Sequence, residues 1–256
     1  NKACQTALEE YMGVSQDETL LVVCDEHRRD IGLALFENGK RTAMESIYVE
    51  MKSREMNGNE PPDQVASLMR KVDVVICPTT RSLTHTDARR RASELGVRVG
   101  TMPGITQETM ERCFSADSEK VLQQTQEVEE LMKKCHTIRV TTKSGTDVTM
   151  NVKKRKVFAS TGILRTIGQS GNLPSGEVYV APNEAKTNGI VIFDGSFAGI
   201  GLLKNPIKVS IIDGYARSIE GKEEADDLKM MLDTGGRHAY AVGEFGIGTN
   251  YKAKLC

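Results

Sequence analysis

Short apolar runs alternate with stretches of helical periodicity in the first half of the chain. The runs at residues 19–24, 44–51, 72–77 and 97–102 predict strands. Apolar residues at helical spacing predict helices at residues 2–12, 28–39 and 87–95, and Pro61 and Pro62 suit the first turn of another helix that ends near residue 70. This alternation predicts a doubly wound parallel sheet that binds ligands outside the carboxyl ends of its strands.

In the second half of the chain, the spacing of apolar residues changes from helical to alternating. Residues 117–134 place apolar side chains on one helical face, and from residue 138 apolar and polar residues alternate around a Ser144-Gly145 turn, which is typical of a β-hairpin. Further β runs are GEVYVAP, GIVIFDG and IKVSIIDGY, and one helix is predicted at residues 222–232. We therefore predict an α/β domain at 1–117, a linking helix at 118–135 and a mainly β domain at 136–256.

Two glutamates stand between glycines at the edge of β-like runs. Glu177 lies in GQSGNLPSGEVYVAP, and Glu244 lies in VGEFGIGTN. Glycine leaves the backbone free and removes a side chain, so a carboxylate framed by it can turn into a cleft and meet a cation or a substrate. The alternative is that both are ordinary loop residues, and the spacing alone leaves that choice open.

Two other segments follow predicted strands, where this fold exposes its binding crevice. Residues 24–30, CDEHRRD, contain acid, base and anion-binding groups, although such residues also cap helices. Thr84, His85 and Arg89 follow the third strand and can orient a polar ligand. We predict a substrate or domain-interface role for these three, against the alternative that the arginine covers a helix face.

Composition narrows the classes of function. The chain has 256 residues and a net charge of −1, so charge indicates no nucleic-acid partner. No apolar run approaches the length of a membrane span, and a soluble protein is expected. The six cysteines show no CxxC spacing, which favours reduced thiols and a cytoplasmic location.

A resemblance adds to these patterns. The runs NLPSGEVYVAPNE, NGIVIFDGSFAG, IIDGY and GEFGIGTN, together with TTKSGTDVTMNV and THTDARRRASELGVRVGTMPGI, resemble the metallo-aminopeptidase family of the thermophile-type leucyl aminopeptidases and its dihydroxypyridine dioxygenase relatives. The resemblance covers most of the chain. It implies that Glu177 and Glu244 bind metal.

The family's other metal ligands, a histidine and a His-x-Asp pair, lie downstream of the second glutamate. This sequence contains none of them, so we expect the domain at 136–256 to be incomplete at its carboxyl end, the alternative being a shortened homologue. The first hypothesis is a metal-dependent aminopeptidase that removes N-terminal residues from peptides with zinc, cobalt or manganese. The alternatives are a non-haem iron ring-cleaving dioxygenase and a metal-free binding protein. A homo-oligomer, in particular a dimer, is expected, with no membrane partner.

Overall fold

The structure, a computed structural model, describes residues 2–255. Helix α1 continues directly into a π-helical turn at Thr6–Tyr11, and a 3₁₀ turn occupies Arg237–Tyr240. The α-helices are α1 (Lys2–Gln5), α2 (Arg29–Thr42), α3 (Asp63–Met69), α4 (Asp87–Glu94), α5 (Gln107–Cys113), α6 (Ser118–Lys133) and α7 (Glu223–Thr234). None of these helices is both long enough and apolar enough to cross a membrane.

The strands are β1 (Thr19–Asp25), β2 (Glu45–Met51), β3 (Val74–Thr79), β4 (Arg98–Pro103), β5 (Thr137–Thr141), β6 (Asp147–Asn151), β7 (Val157–Ser160), β8 (Ser170–Asn172), β9 (Glu177–Val180), β10 (Thr187–Phe193), β11 (Ser196–Phe197), β12 (Gly201–Leu202), β13 (Ile207–Ile212), β14 (Tyr215–Glu220) and β15 (Phe245–Gly248).

A parallel sheet with the order β2-β1-β3-β4-β8 forms the centre of the first compact unit. Successive residues of β1 point to opposite faces, so that Leu20 packs in a core with α2 and α5, whereas Leu21 packs in a second core with α3 and α4. Helices therefore cover both faces of the sheet, which explains why its central strands β1 and β3 are mostly apolar and buried along their length. The predicted doubly wound α/β fold is confirmed.

The extent of this unit differs from the predicted domain at 1–117. Besides residues 2–125 it contains 160–177 and 249–253, whereas the second unit contains 126–159, 178–248 and 254–255. Residues 160–177 contribute β8, which pairs with β4, and Leu164 and Leu173, which are buried in the first core. The sequence analysis missed this excursion because three residues of β8 are too few to show a period.

The second unit is mainly β, as the period change predicts. Its antiparallel sheet has the order β14-β13-β10-β6-β5, and β5 and β6 form the predicted hairpin. Asp213 and Gly214 join β13 to β14 in a two-residue turn with φ of +51° and +73°. Positive φ at both positions is required by the tight turn whose twist matches that of the strands, which accounts for the Asp-Gly pair. A smaller sheet has the order β15-β9-β7.

Asp25 lies at the carboxyl end of β1, where the strand order reverses. Its side chain is 1% exposed and accepts hydrogen bonds from Thr80 N at 2.5 Å, Thr80 Oγ1 at 2.9 Å and His27 N at 3.2 Å. A buried carboxylate with this many donors is well satisfied. Asp25 therefore fixes the loop after β3 to the end of β1. This structural role explains the acidic residue at this position of the 24–30 segment.

We expect Asp25→Asn to destabilise the protein by about 1–3 kcal/mol, because the new amide would direct a donor at the Thr80 donors inside the protein. Asp30→Asn, at an exposed position in the first turn of α2, removes only a favourable helix-end charge worth about 0.3–1 kcal/mol. Urea unfolding followed by circular dichroism measures both. Equal losses in the two variants would contradict the structural role of Asp25.

Candidate functional site

The two glycine-framed stretches of the sequence meet in the first unit. Thr249 N donates a 2.7 Å hydrogen bond to Gly176 O, and Asn250 Nδ2 donates a 3.1 Å bond to Ser175 O. The hydroxyl of Ser175 in turn lies 2.6 Å from that of Ser160. The PSG part of the first motif and the TN part of the second are thus held together directly.

Gly176 makes this approach possible. Its φ is +127°, and a Cβ there would lie 2.8 Å from Asn250 N and 3.0 Å from a methyl group of Val121. Neither the backbone conformation nor the space permits a side chain. The glycine before the first glutamate is therefore explained by a close backbone contact.

Glu177 is the first residue of β9 and is exposed. Val178 and Val180 point the other way and are buried with Met132. By strand alternation Glu177 shares a face with Tyr179, whose ring stacks on Phe158 at a centroid separation of 5.3 Å. The predicted ligand thus has an accessible carboxylate on a rigid strand.

Glu244 lies at a cavity of about 380 Å³ in the second unit. The walls come from the antiparallel sheet, from α7 and from the segment at 239–246. They are almost entirely apolar, and the larger apolar residues among them include Met150, Val191, Phe193, Phe197, Ile211, Ile219, Leu228 and Leu232. Glu244 itself is exposed, so its carboxylate stands where the apolar surface meets water. Within residues 2–255 the carboxylate has no hydrogen-bond or ion-pair partner.

Two of the few polar groups of the cavity wall are occupied. Thr146 Oγ1 accepts a 2.9 Å hydrogen bond from Ile192 N. The hydroxyl of Tyr240 donates to Asp233 Oδ1 at 2.7 Å, and this bond raises the pKa of Tyr240. Thr187 is another polar residue of the cavity wall. The sequence analysis did not identify it, because a threonine at the start of an apolar strand has no distinctive sequence pattern.

Thr84 and Arg89 contact polar groups of β4 and β8. Thr84 Oγ1 lies 2.8 Å from both Thr101 Oγ1 and Asn172 Oδ1. Arg89 donates from Nε to Thr84 O at 2.8 Å and from Nη1 to Ser170 at 3.0 Å, and burial lowers its pKa.

These contacts tie the loop after β3 to the neighbouring strands, whereas the side chain of His85 is exposed. The predicted substrate or interface role of the three residues stays a prediction.

Metal donors are sparse in this part of the molecule. Among residues 2–255, no three His, Cys, Asp or Glu side chains are grouped so that they could hold a metal ion. Structural and catalytic zinc sites, like non-haem iron sites, use three or more protein ligands. The described residues therefore do not fit a complete metal shell, and the roles of Glu177 and Glu244 as ligands stay predictions.

Gly176→Ala should destabilise the first unit by about 2–3 kcal/mol, since it adds backbone strain and a clash with the Asn250 backbone. Gly104→Ala is the matched control, because Gly104 also has positive φ, +65°, but has open space where a Cβ would be. Its loss should be about 1 kcal/mol. Urea unfolding compares them, and a loss in Gly176→Ala no larger than the control would argue against the close contact.

Comparison with known proteins places this geometry in a family. The structure resembles that of 2,5-dihydroxypyridine dioxygenase from Pseudomonas putida KT2440, with a TM-score of 0.80 and 18% identity over 98% of this chain and 77% of that chain. It also resembles wild-type AmpT from Thermus thermophilus, with a TM-score of 0.64 and 14% identity over 96% of this chain and 77% of that chain. At these identities the likeness shows the fold.

The curated proteins contain no match to the chain. The family described as NicX, 2,5-dihydroxypyridine 5,6-dioxygenase, matches residues 2–255. Since the match spans nearly the whole sequence, the chain belongs to the NicX 2,5-dihydroxypyridine 5,6-dioxygenase family.

Proposed function

We propose that the protein is a ring-cleaving dioxygenase that acts on a hydroxylated pyridine. The observation that carries the proposal is the apolar cavity with Glu244 at its edge. Family membership supports it. The sequence analysis put an aminopeptidase first and this activity second, and the findings favour the second, because the aminopeptidase has only a structural likeness at a lower TM-score behind it.

The chemistry of the cavity suits an aromatic ring better than a peptide. A volume of about 380 Å³ lies at the small end of the range for ligand sites, and the walls offer methyl and phenyl groups to the faces of a flat ring. A peptide would bring a charged amine and several amides, each costly to bury without a hydrogen bond. A hydroxylated ring has polar atoms only at its edge, where Glu244 can accept a hydrogen bond from a hydroxyl group.

Iron is the metal that this proposal favours over zinc, cobalt or manganese. When bound, it would supply the activation of molecular oxygen, and Glu177 and Glu244 are our proposed carboxylate ligands. Because no three potential metal ligands are grouped among residues 2–255, we assign to this chain only the binding and orientation of the ring.

Iron binding by the 256-residue chain should be weak and substoichiometric, since two carboxylates hold a hydrated cation poorly. Glu177→Gln and Glu244→Gln should each lower it further, because an amide keeps the shape but loses the charge. Glu55→Gln, at an exposed glutamate elsewhere, is the control and should change nothing. Anaerobic calorimetric titration with Fe(II) measures all four proteins. Full-occupancy binding that survives both single changes would remove these residues from the metal site.

Ring binding tests the activity class. Titration with 2,5-dihydroxypyridine without oxygen should show saturable binding, and leucinamide should not bind. Glu244→Gln should weaken ring binding about tenfold or more, because a hydrogen bond to a charged group contributes about 1.5–3 kcal/mol. Oxygen uptake with added Fe(II) and hydrolysis of leucine p-nitroanilide are then followed in parallel. Hydrolysis of the anilide without any ring binding would reverse the order of the two hypotheses.

A further inference from the structure

Thr187, the first residue of β10, holds an unpartnered hydroxyl inside the second unit. The residue is 1% exposed, and its Oγ1 has no hydrogen-bond partner within residues 2–255. Most buried polar atoms in folded proteins are paired, and an unpaired one costs free energy. An orphaned buried hydroxyl therefore needs an explanation, and a bound ligand is one.

The hydroxyl belongs to the wall of the apolar cavity. Residues 187, 191 and 193 point to the same face of β10 because side chains alternate along a strand. Val191 and Phe193 line the cavity, as does Met150, which is paired with Thr187 across β10 and β6. The orphaned atom is thus part of the same surface that Glu244 borders.

Backbone hydrogen bonds connect Thr187 to the segment that carries Glu244. Gly214 N donates to Thr187 O at 2.9 Å, and Val242 N donates to Gly214 O at 2.8 Å. Two such steps separate Thr187 from Val242, which precedes Glu244 by two residues. Two backbone hydrogen bonds thus link Thr187, through Gly214, to the segment that carries Glu244, and both residues line the cavity.

Among the polar side chains of residues 2–255 that line the cavity, those of Thr187 and Glu244 have no hydrogen-bond partner. The hydroxyls of Thr146 and Tyr240 are engaged with Ile192 and Asp233. What remains is one neutral hydroxyl inside the wall and one carboxylate at its edge. A ligand that satisfies both has a compact apolar body with two polar atoms on its rim.

We infer that Thr187 is a specificity-determining residue of the cavity and that its hydroxyl bonds the oxygen at ring position 2 of a hydroxypyridine, while Glu244 accepts from another ring hydroxyl. This inference rests on the proposed function. A 2-hydroxypyridine in its pyridone form presents a carbonyl oxygen to which the Thr187 hydroxyl can donate. A ring without that oxygen leaves the threonine as orphaned as before.

Thr187→Val and Thr187→Ser test the role, since valine keeps the shape and serine keeps the hydroxyl. Anaerobic titrations use 2,5-dihydroxypyridine and 3-hydroxypyridine, which lacks the oxygen at position 2. Thr187→Val should bind 2,5-dihydroxypyridine about tenfold more weakly, the usual size of one lost buried hydrogen bond. Thr187→Ser should retain most of the affinity, and 3-hydroxypyridine should bind the wild type and the valine variant alike.

Thermal melting separates this role from a structural one. Thr187→Val should melt at the same or a higher temperature, because it removes an unpaired polar atom, so weaker binding would not come from unfolding. Ala216→Leu, which fills the cavity from β14, should reduce binding of both rings.

The outcomes distinguish the two proposals. If the wild type binds neither ring, the proposed function fails. If it binds 2,5-dihydroxypyridine and Thr187→Val binds it equally well, the function stands and the role of Thr187 is refuted. Unchanged binding in a folded Ala216→Leu variant would place the ring elsewhere and also overturn the inference.

Discussion

The absence of a side chain at position 176 is the constraint on which the candidate site depends. It allows the backbone at Thr249 to approach within 2.7 Å of the Gly176 carbonyl oxygen, so two motifs more than seventy residues apart become neighbours. Glu177 follows the contact immediately, and Glu244 directly precedes the short strand β15, which leads to it. A backbone hydrogen bond thus holds the ends of the two motifs together.

Asp25 and Thr187 are both buried polar residues, but they differ in their hydrogen bonding. Asp25 is enclosed and fully supplied with donors, so it stabilises the loop that it holds. Thr187 is equally enclosed, and its hydroxyl has no hydrogen-bond partner in the described part of the chain. The hydrogen bonds to Asp25 offset the free-energy cost of removing its carboxylate from water. The corresponding cost for the Thr187 hydroxyl is not offset in the described structure, and a hydrogen bond to a ligand would offset it.

Local patterns predicted much of the fold. The strands of the parallel sheet and the hairpin around Ser144-Gly145 follow from apolar periodicity, since each buries a regular face. The excursion at 160–177 and helix α5 were missed, because short elements leave no period and their position is decided by distant partners. Glu177 and Glu244 stood out through their glycines. Thr187 could not be identified from the sequence, because the lack of a hydrogen-bond partner depends on the three-dimensional surroundings of the side chain.

The pairing of β8 with β4 has a consequence for the synthesis of the protein. Until residue 172 leaves the ribosome, β4 is an open edge with unpaired backbone groups, which is a site of misassembly in growing chains. Residues 249–253 join the same unit later still. At about 5–20 residues per second, the nascent first unit waits several seconds for its last strand and longer for its final segment. The first unit can therefore complete its folding only after residue 253 has been translated.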